Sequence, residues 1–81
     1  MNKPSLKAIN PIHQAKVNRA LLHLIKHNEA NDLWNKYDSE GDIKNMRTQE
    51  NICNRRFDKY EEIASELPQR EVKNIETSKF Y

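Results

Sequence analysis

Two histidines four residues apart, His23 and His27, come closest in this sequence to the spacing of a chemical site. On a helix that spacing places both imidazoles on one face, where they could share a metal ion. A zinc site needs at least a third ligand, and the segment HLIKH lacks the glutamate of the HExxH metalloprotease signature. We therefore expect no metal site, and we interpret the histidines as surface groups that become charged below about pH 6.5.

Nucleophilic and acid–base chemistry find equally little support. The single cysteine, Cys53, excludes an intramolecular disulfide and falls on an apolar helical arc, which predicts a buried, unreactive thiol. The acidic residues cluster at 38–42 and 61–66 without contrasting surroundings, whereas acid–base catalysis needs carboxylates in different environments. We expect a protein that is not an enzyme and that carries no cofactor.

The charge distribution is the clearest global signal. Residues 1–28 contain five lysines and arginines and no acid, whereas residues 29–81 contain nine basic and twelve acidic residues. Within the first segment the basic groups recur at helical spacing and define a basic face, which attracts nucleic-acid phosphates or an acidic protein surface. The residues of this face are Lys16, Arg19, His23 and Lys26, with His27 beside them.

Arg56 interrupts an apolar helical arc that also contains Phe57 and Tyr60. A buried guanidinium without a partner is costly, so Arg56 either pairs with an acid or extends to the edge of the core. Alternatively, that edge is an interface, because arginine beside aromatic residues is enriched at binding hot spots. The complete set of predicted partner-binding residues is Lys16, Arg19, His23, Lys26, His27, Trp34, Arg56 and Tyr60.

The elements that position these residues are helices. Apolar residues recur at helical and not at strand spacing, which predicts an all-α fold, a small bundle of three to four helices. We expect helices over about 11–27, 29–38 and 69–77, and one between them that begins at 43 or 49 and ends at 67.

Local signals mark the helix boundaries. Asn10 and Pro11 are a cap and a first-turn residue, Asn28 is a candidate cap for a second helix, and Gly41 supplies a left-handed residue after it. Between the two possible starts at 43 and 49, we favour a break near Arg47 and Thr48.

The chain is predicted to form one domain at 10–77, with a flexible basic arm at 1–9 and a frayed tail at 78–81. The apolar arcs predict a core that extends along every helix. Its predicted members include Val17, Leu24, Leu33, Trp34, Tyr37, Ile43, Met46, Ile52, Cys53, Phe57, Tyr60, Ile63, Leu67 and Ile75.

With no bilayer-spanning stretch and one cysteine, the sequence favours a cytoplasmic protein without a membrane partner. The predicted function is to bind and regulate or inhibit a macromolecular partner, as phage and mobile-element products of the anti-CRISPR or antirepressor type do. The favoured partner is an acidic protein surface or a nucleoprotein complex. The alternative partner is a nucleic acid bound by the basic face. The sequence also allows the chain to form a homo-oligomer.

Overall fold

The computed structural model describes residues 5–81, and within that range the architecture is all-α, as predicted. A 3-10 turn at Pro11–His13 leads into α1 (Gln14–Glu40), which is followed by α2 (Ile43–Ser65) and α3 (Gln69–Glu76). Helices α1 and α2 form a long antiparallel hairpin, so that the longest dimension of the molecule is 45 Å. Helix α3 closes the open end of this hairpin.

The start of the first helix follows the predicted signals. The Asn10 side chain accepts a hydrogen bond from the backbone N–H of Ile12 at 3.1 Å, and Pro11 occupies the first position of the turn. This first turn is 3-10, and the α-helical hydrogen bonds begin at Gln14. The prediction for the start of the helix is therefore correct to within three residues.

The predicted division into helices at 11–27 and 29–38 is wrong, because α1 continues through residue 28 to Glu40. No glycine or proline lies between Gln14 and Glu40, so nothing interrupts the backbone hydrogen bonds. Asn28 does not cap a helix. Its amide Nδ2 donates to the carbonyl oxygen of Phe80 at 2.7 Å, and the residue thereby ties the C-terminal segment to α1.

The chain reverses direction at Gly41, which adopts the predicted left-handed conformation with φ of 72°. The N–H of Asp42 donates to the carbonyl oxygen of Tyr37 and the N–H of Gly41 to that of Asp38, which is the Schellman arrangement of a helix end. The two-residue connection leaves α1 and α2 side by side.

Helix α2 starts at Ile43, and the break that we favoured near Arg47 and Thr48 is wrong. Asp42 caps this helix by accepting a hydrogen bond from the N–H of Asn45 at 3.3 Å. Thr48 does not act as a cap, because its hydroxyl donates back to the carbonyl oxygen of Lys44 in the preceding turn. Helix α3 begins at 69, as predicted, and ends one residue early, at Glu76.

The core is confined to the open end of the hairpin. The buried hydrophobic residues are Ala8, Val17, Ala20, Leu21, Leu24, Ala30, Tyr60, Ile63, Leu67 and Ile75. None of the residues 31–59, which we call the distal half of the hairpin, is buried. The prediction that Leu33, Ile43 and Ile52 belong to the core is wrong, because the two helices alone cannot cover them.

A buried carboxylate fastens the N-terminal segment to α3. Glu71 is only 1% exposed, and its two carboxylate oxygens accept hydrogen bonds from the N–H of Ile9 at 2.8 Å and of Asn10 at 3.0 Å. Ala8 is buried beside this contact. The predicted arm at 1–9 is therefore held against the domain from Leu6 to Ile9, and its first four residues lie outside the described part.

The pKa of Glu71 reflects this arrangement. Burial raises the pKa, but the two backbone donors and the nearby His13 outweigh burial and hold the pKa below its ordinary value of 4.5. A carboxyl whose pKa is lowered on folding stabilises the protein above the unfolded pKa, and this stabilisation is lost as the pH falls through the folded value.

We expect Glu71→Gln to lower the free energy of unfolding at pH 7 by about 1–3 kcal/mol, because an amide cannot accept both backbone hydrogen bonds. Urea unfolding followed by circular dichroism measures this, with Glu76→Gln on the exposed side of α3 as the control. The difference between wild type and Glu71→Gln should shrink at pH 3. Equal stabilities of the two variants at pH 7 would contradict the proposed fastening.

Candidate binding surface

A group of basic residues from α1 and α2 lies on one flank of the hairpin. Arg56 on α2 donates from Nη1 to Nδ1 of His23 on α1 at 3.1 Å. Arg19 and Lys59 are close enough to act electrostatically on the same imidazole. We call the group formed by Arg19, His23, Arg56 and Lys59 the cationic face.

His23 is neutral in this arrangement. Burial lowers its pKa below the ordinary 6.5, and the positive charges of Arg56, Lys59 and Arg19 lower it further, against a smaller opposing effect of Glu62. Because Nδ1 accepts the hydrogen bond, the proton of the neutral ring is on Nε2. His23 thus holds a guanidinium in place without adding a charge of its own.

This contact shows how the guanidinium of Arg56 is accommodated beside the apolar arc of α2. The residue is half-buried and pairs with a neutral imidazole of the other helix, not with an acid. The prediction that Arg56 pairs with a residue of another helix is confirmed, but the predicted partner was an acid and the observed partner is a histidine. The guanidinium keeps its full positive charge at the surface of the hairpin.

Ion pairs border the cationic face. Lys16 lies 3.7 Å from Glu66, Lys26 lies 3.4 Å from Glu29, and Lys59 lies 3.5 Å from Glu62. All six side chains are largely solvent-exposed, so each pair contributes about 0–1 kcal/mol to stability. Within residues 5–81, Arg19 and Arg56 take part in no ion pair, and they are the charges available to a partner.

The remaining predicted residues are not part of this face. His27 lies in the seam between α1 and α2, where its ring stacks on Phe57 at 4.9 Å. Tyr60 is only 4% exposed and belongs to the core, so it cannot contact a partner directly. Trp34 is half-buried in the distal half, beside Glu50 and Cys53.

The close pair of Cys53 and His27 is not arranged for nucleophilic catalysis. The Sγ atom lies 3.1 Å from His27 Nδ1, but the same nitrogen lies 2.9 Å from the carbonyl oxygen of Cys53. A nitrogen that donates to this carbonyl carries a proton and cannot accept the thiol proton. Burial and Glu50 also raise the pKa of Cys53, which keeps the thiol protonated at neutral pH.

Two further properties of the described part of the chain concern metal ions and membranes. Across residues 5–81, no three His, Cys, Asp or Glu side chains are grouped so that they could hold a metal ion. In the same range, no helix has both the length and the apolar character needed to cross a membrane.

The structure reveals a continuity that the sequence analysis missed. Because α1 is one helix, the basic positions 16, 19, 23 and 26 are part of a longer row. Ala30, Leu33 and Tyr37 continue this row at the same alternating spacing of three and four residues. We call this row, from Lys16 to Tyr37, the α1 stripe. The spacing is visible in the sequence, but we predicted a helix boundary at residue 28, and the basic and the apolar part of the row were therefore assigned to two different helices. Lys59 was also missed, since it stands on the solvent side of α2.

Comparison of the chain with protein-family models, with curated proteins and with solved structures gives no match. The class of protein is therefore described by the fold and the surface alone: a helical hairpin closed at one end by a short third helix, with a cationic face on the flank.

The buried hydroxyl of Tyr60 has no hydrogen-bond partner among the described residues, and burial raises the pKa of this phenol to about 12. We expect Tyr60→Phe to leave the free energy of unfolding unchanged or to raise it by about 1 kcal/mol, because the phenylalanine ring fills the same space without an unpaired polar atom. Urea unfolding measures the change. A loss above about 1 kcal/mol would indicate a hydrogen bond that this packing does not contain.

The lowered pKa of His23 predicts a stability that depends on pH. Below about pH 6.5 the unfolded chain binds a proton that the folded protein does not, so stability falls as the pH decreases from there towards the folded pKa. We expect His23→Asn to lose less stability than wild type between pH 7 and pH 5, because asparagine does not titrate and its Oδ1 takes the place of Nδ1 as the acceptor for Arg56. Thermal unfolding at both pH values measures this, and Asn35→Gln, at an exposed position of the same helix, should retain the wild-type dependence.

Proposed function

We propose that this protein acts by binding, and that its cationic face docks on an acidic surface of a partner protein and regulates or blocks it by occupying that surface. One observation carries the proposal: the hydrogen bond between Arg56 and His23 gathers charges from two helices on one flank of the hairpin. The regulator or inhibitor role, of the kind that phage and mobile-element proteins perform, follows from such occupation without any catalytic step.

The positions of the acidic residues favour a protein over a nucleic acid. Glu62 and Glu66 stand at the border of the cationic face, paired with Lys59 and Lys16. The phosphate backbone carries a uniform negative charge that would meet these carboxylates. A protein surface can place acidic residues opposite Arg19 and Arg56 and other groups opposite the glutamates.

The number of available charges supports the same choice. Arg19 and Arg56 could neutralise only about two phosphates, which makes a weak, salt-dependent complex with DNA. Base stacking would require exposed aromatic rings, and the aromatic residues nearest to the face along α1, Trp34 and Tyr37, are half-buried. Between proteins, a small group of complementary charges speeds association and fixes orientation, while apolar contacts supply affinity.

The test compares three labelled probes by fluorescence anisotropy at about 50 and 200 mM salt: a peptide of about 20 glutamates, a DNA duplex and a single-stranded RNA of similar charge. We expect the acidic peptide to bind at low salt. The double variant Arg19→Gln/Arg56→Gln should weaken this binding about tenfold, because it removes the two unpaired charges. Circular dichroism of the double variant verifies that the fold is intact.

The matched control is Arg47→Gln/Arg70→Gln, which removes the same net charge from exposed positions outside the cationic face. An equal loss in the control would show that only net charge matters and would contradict the proposal. Tighter binding of DNA or RNA than of the peptide, lost in Arg19→Gln/Arg56→Gln, would establish the nucleic-acid alternative instead. No binding of any probe at low salt would overturn both.

A further inference from the structure

The α1 stripe has the spacing of a coiled-coil seam. Its positions from Lys16 to Tyr37 alternate by three and four residues, which is the 3.5-residue period by which one helix packs along another. The packing between α1 and α2 is centred on other positions, among them Val17, Leu24 and His27, and the stripe borders it, since His23 contacts Arg56. The stripe therefore runs along the edge of the α1–α2 seam for about 32 Å at 1.5 Å per residue.

A matching row runs along α2 with the same alternation of four and three residues. It consists of Ile52, Arg56, Lys59, Ile63 and Glu66. The contacts of Lys16 with Glu66 and of His23 with Arg56 bind the two rows together side by side. The two rows thus border a continuous surface along one flank of the hairpin.

This flank is open to solvent at Arg19, Lys26, Leu33 and Lys59, whereas Ala30 and Ile63, at 3% and 8% exposed, are buried members of the two rows. Gln14 and Asn28, which hold the N-terminal segment and the C-terminal segment, lie roughly 150° around α1 from the stripe. At the distal end of the flank, Leu33 is 38% exposed and Ile52 is 37% exposed. The surface is basic near Arg19 and Arg56 and apolar near Leu33 and Ile52.

We propose that this flank accepts a single helix of the partner protein, which packs lengthwise against both rows and completes a three-helix bundle. The inference rests on the proposed function and specifies its partner. The docked helix is acidic along the part that faces Arg19 and Arg56 and apolar along the part that faces Leu33 and Ile52. Matching the length of the stripe requires about 20 residues.

The charge pattern argues against a second copy of the same stripe as the occupant. If two stripes paired in parallel, Arg19 would oppose the partner's basic residues, and like charges at such positions destabilise a complex. If they paired in antiparallel fashion, the basic half would oppose the apolar half, and Leu33 would be buried against desolvated charges. A helix with acids in place of these basic residues avoids both costs.

The experiment uses two designed helical peptides of about 24 residues and identical composition as probes. The block peptide carries glutamate at the seam positions of one half and leucine at those of the other half. The scrambled peptide distributes the same residues without the 3.5-residue period. Fluorescence of Trp34, the only tryptophan of the chain and a neighbour of Leu33, reports binding by the full-length protein. We expect the block peptide to bind at least about tenfold more tightly.

Two variants of one helix separate the stripe from general exposure. Leu33→Glu lies on the stripe, and Leu22→Glu, at a residue that is 52% exposed, lies off it. We expect Leu33→Glu to weaken block-peptide binding about tenfold and Leu22→Glu to leave it unchanged. Both leucines are exposed, so neither change removes a core contact, and circular dichroism confirms that the fold is intact.

The outcomes distinguish this inference from the proposed function. Helix docking is overturned if the block and scrambled peptides bind equally, or if Leu33→Glu and Leu22→Glu have equal effects. In either case, polyglutamate binding that depends on Arg19 and Arg56 would still support the proposed function. Failure of both the block peptide and polyglutamate overturns both. A dimer in sedimentation that Leu33→Glu dissociates identifies a second copy as the occupant and also overturns the inference.

Discussion

The uninterrupted course of α1 from Gln14 to Glu40 is the constraint on which the rest of this structure depends. A helix of this length sets the length of the hairpin, and the turn at Gly41 then brings α2 back along it. Every cross-helix contact on the cationic face follows from that pairing, because His23 meets Arg56 only when the two helices are straight and in register. A break at residue 28 would separate the basic half of the α1 stripe from its apolar half.

Stability is concentrated at the open end of the hairpin, where three short segments converge. Helix α3 supplies Ile75 and Glu71, the N-terminal segment supplies Ala8, and the C-terminal segment is held by Asn28. A small chain has little apolar surface to bury, so polar contacts contribute a larger share of its stability. The carboxylate of Glu71 makes such a contact, because it accepts hydrogen bonds from two backbone N–H groups of the N-terminal segment. The distal half is held by half-buried side chains along the seam and by the helix caps.

The sequence predicted the fold class, the cap at Asn10, the left-handed Gly41 and the third helix, because these depend on local chemistry. It failed where local signals compete with tertiary contacts. Asn28 has the residue type of a cap, yet it bonds across the structure to Phe80, and Thr48 bonds back to its own helix. Of the candidate site, the basic residues of α1 were evident from spacing. The burial of Tyr60 was predicted from the apolar arc, whereas the pairing of Arg56 with His23 and the burial of Glu71 depend on which helices meet, which no periodicity specifies.

The separation of the core from the distal half has an evolutionary consequence. Since no residue from 31 to 59 is buried, substitutions at the exposed positions of this range remove few contacts that hold the fold together, with the exception of Gly41, which makes the turn. The apolar part of the α1 stripe and its neighbour Ile52 lie largely within this tolerant region, whereas the residues that close the hairpin lie outside it. The exposed positions of the distal half can therefore diverge quickly while the folded state is inherited almost intact.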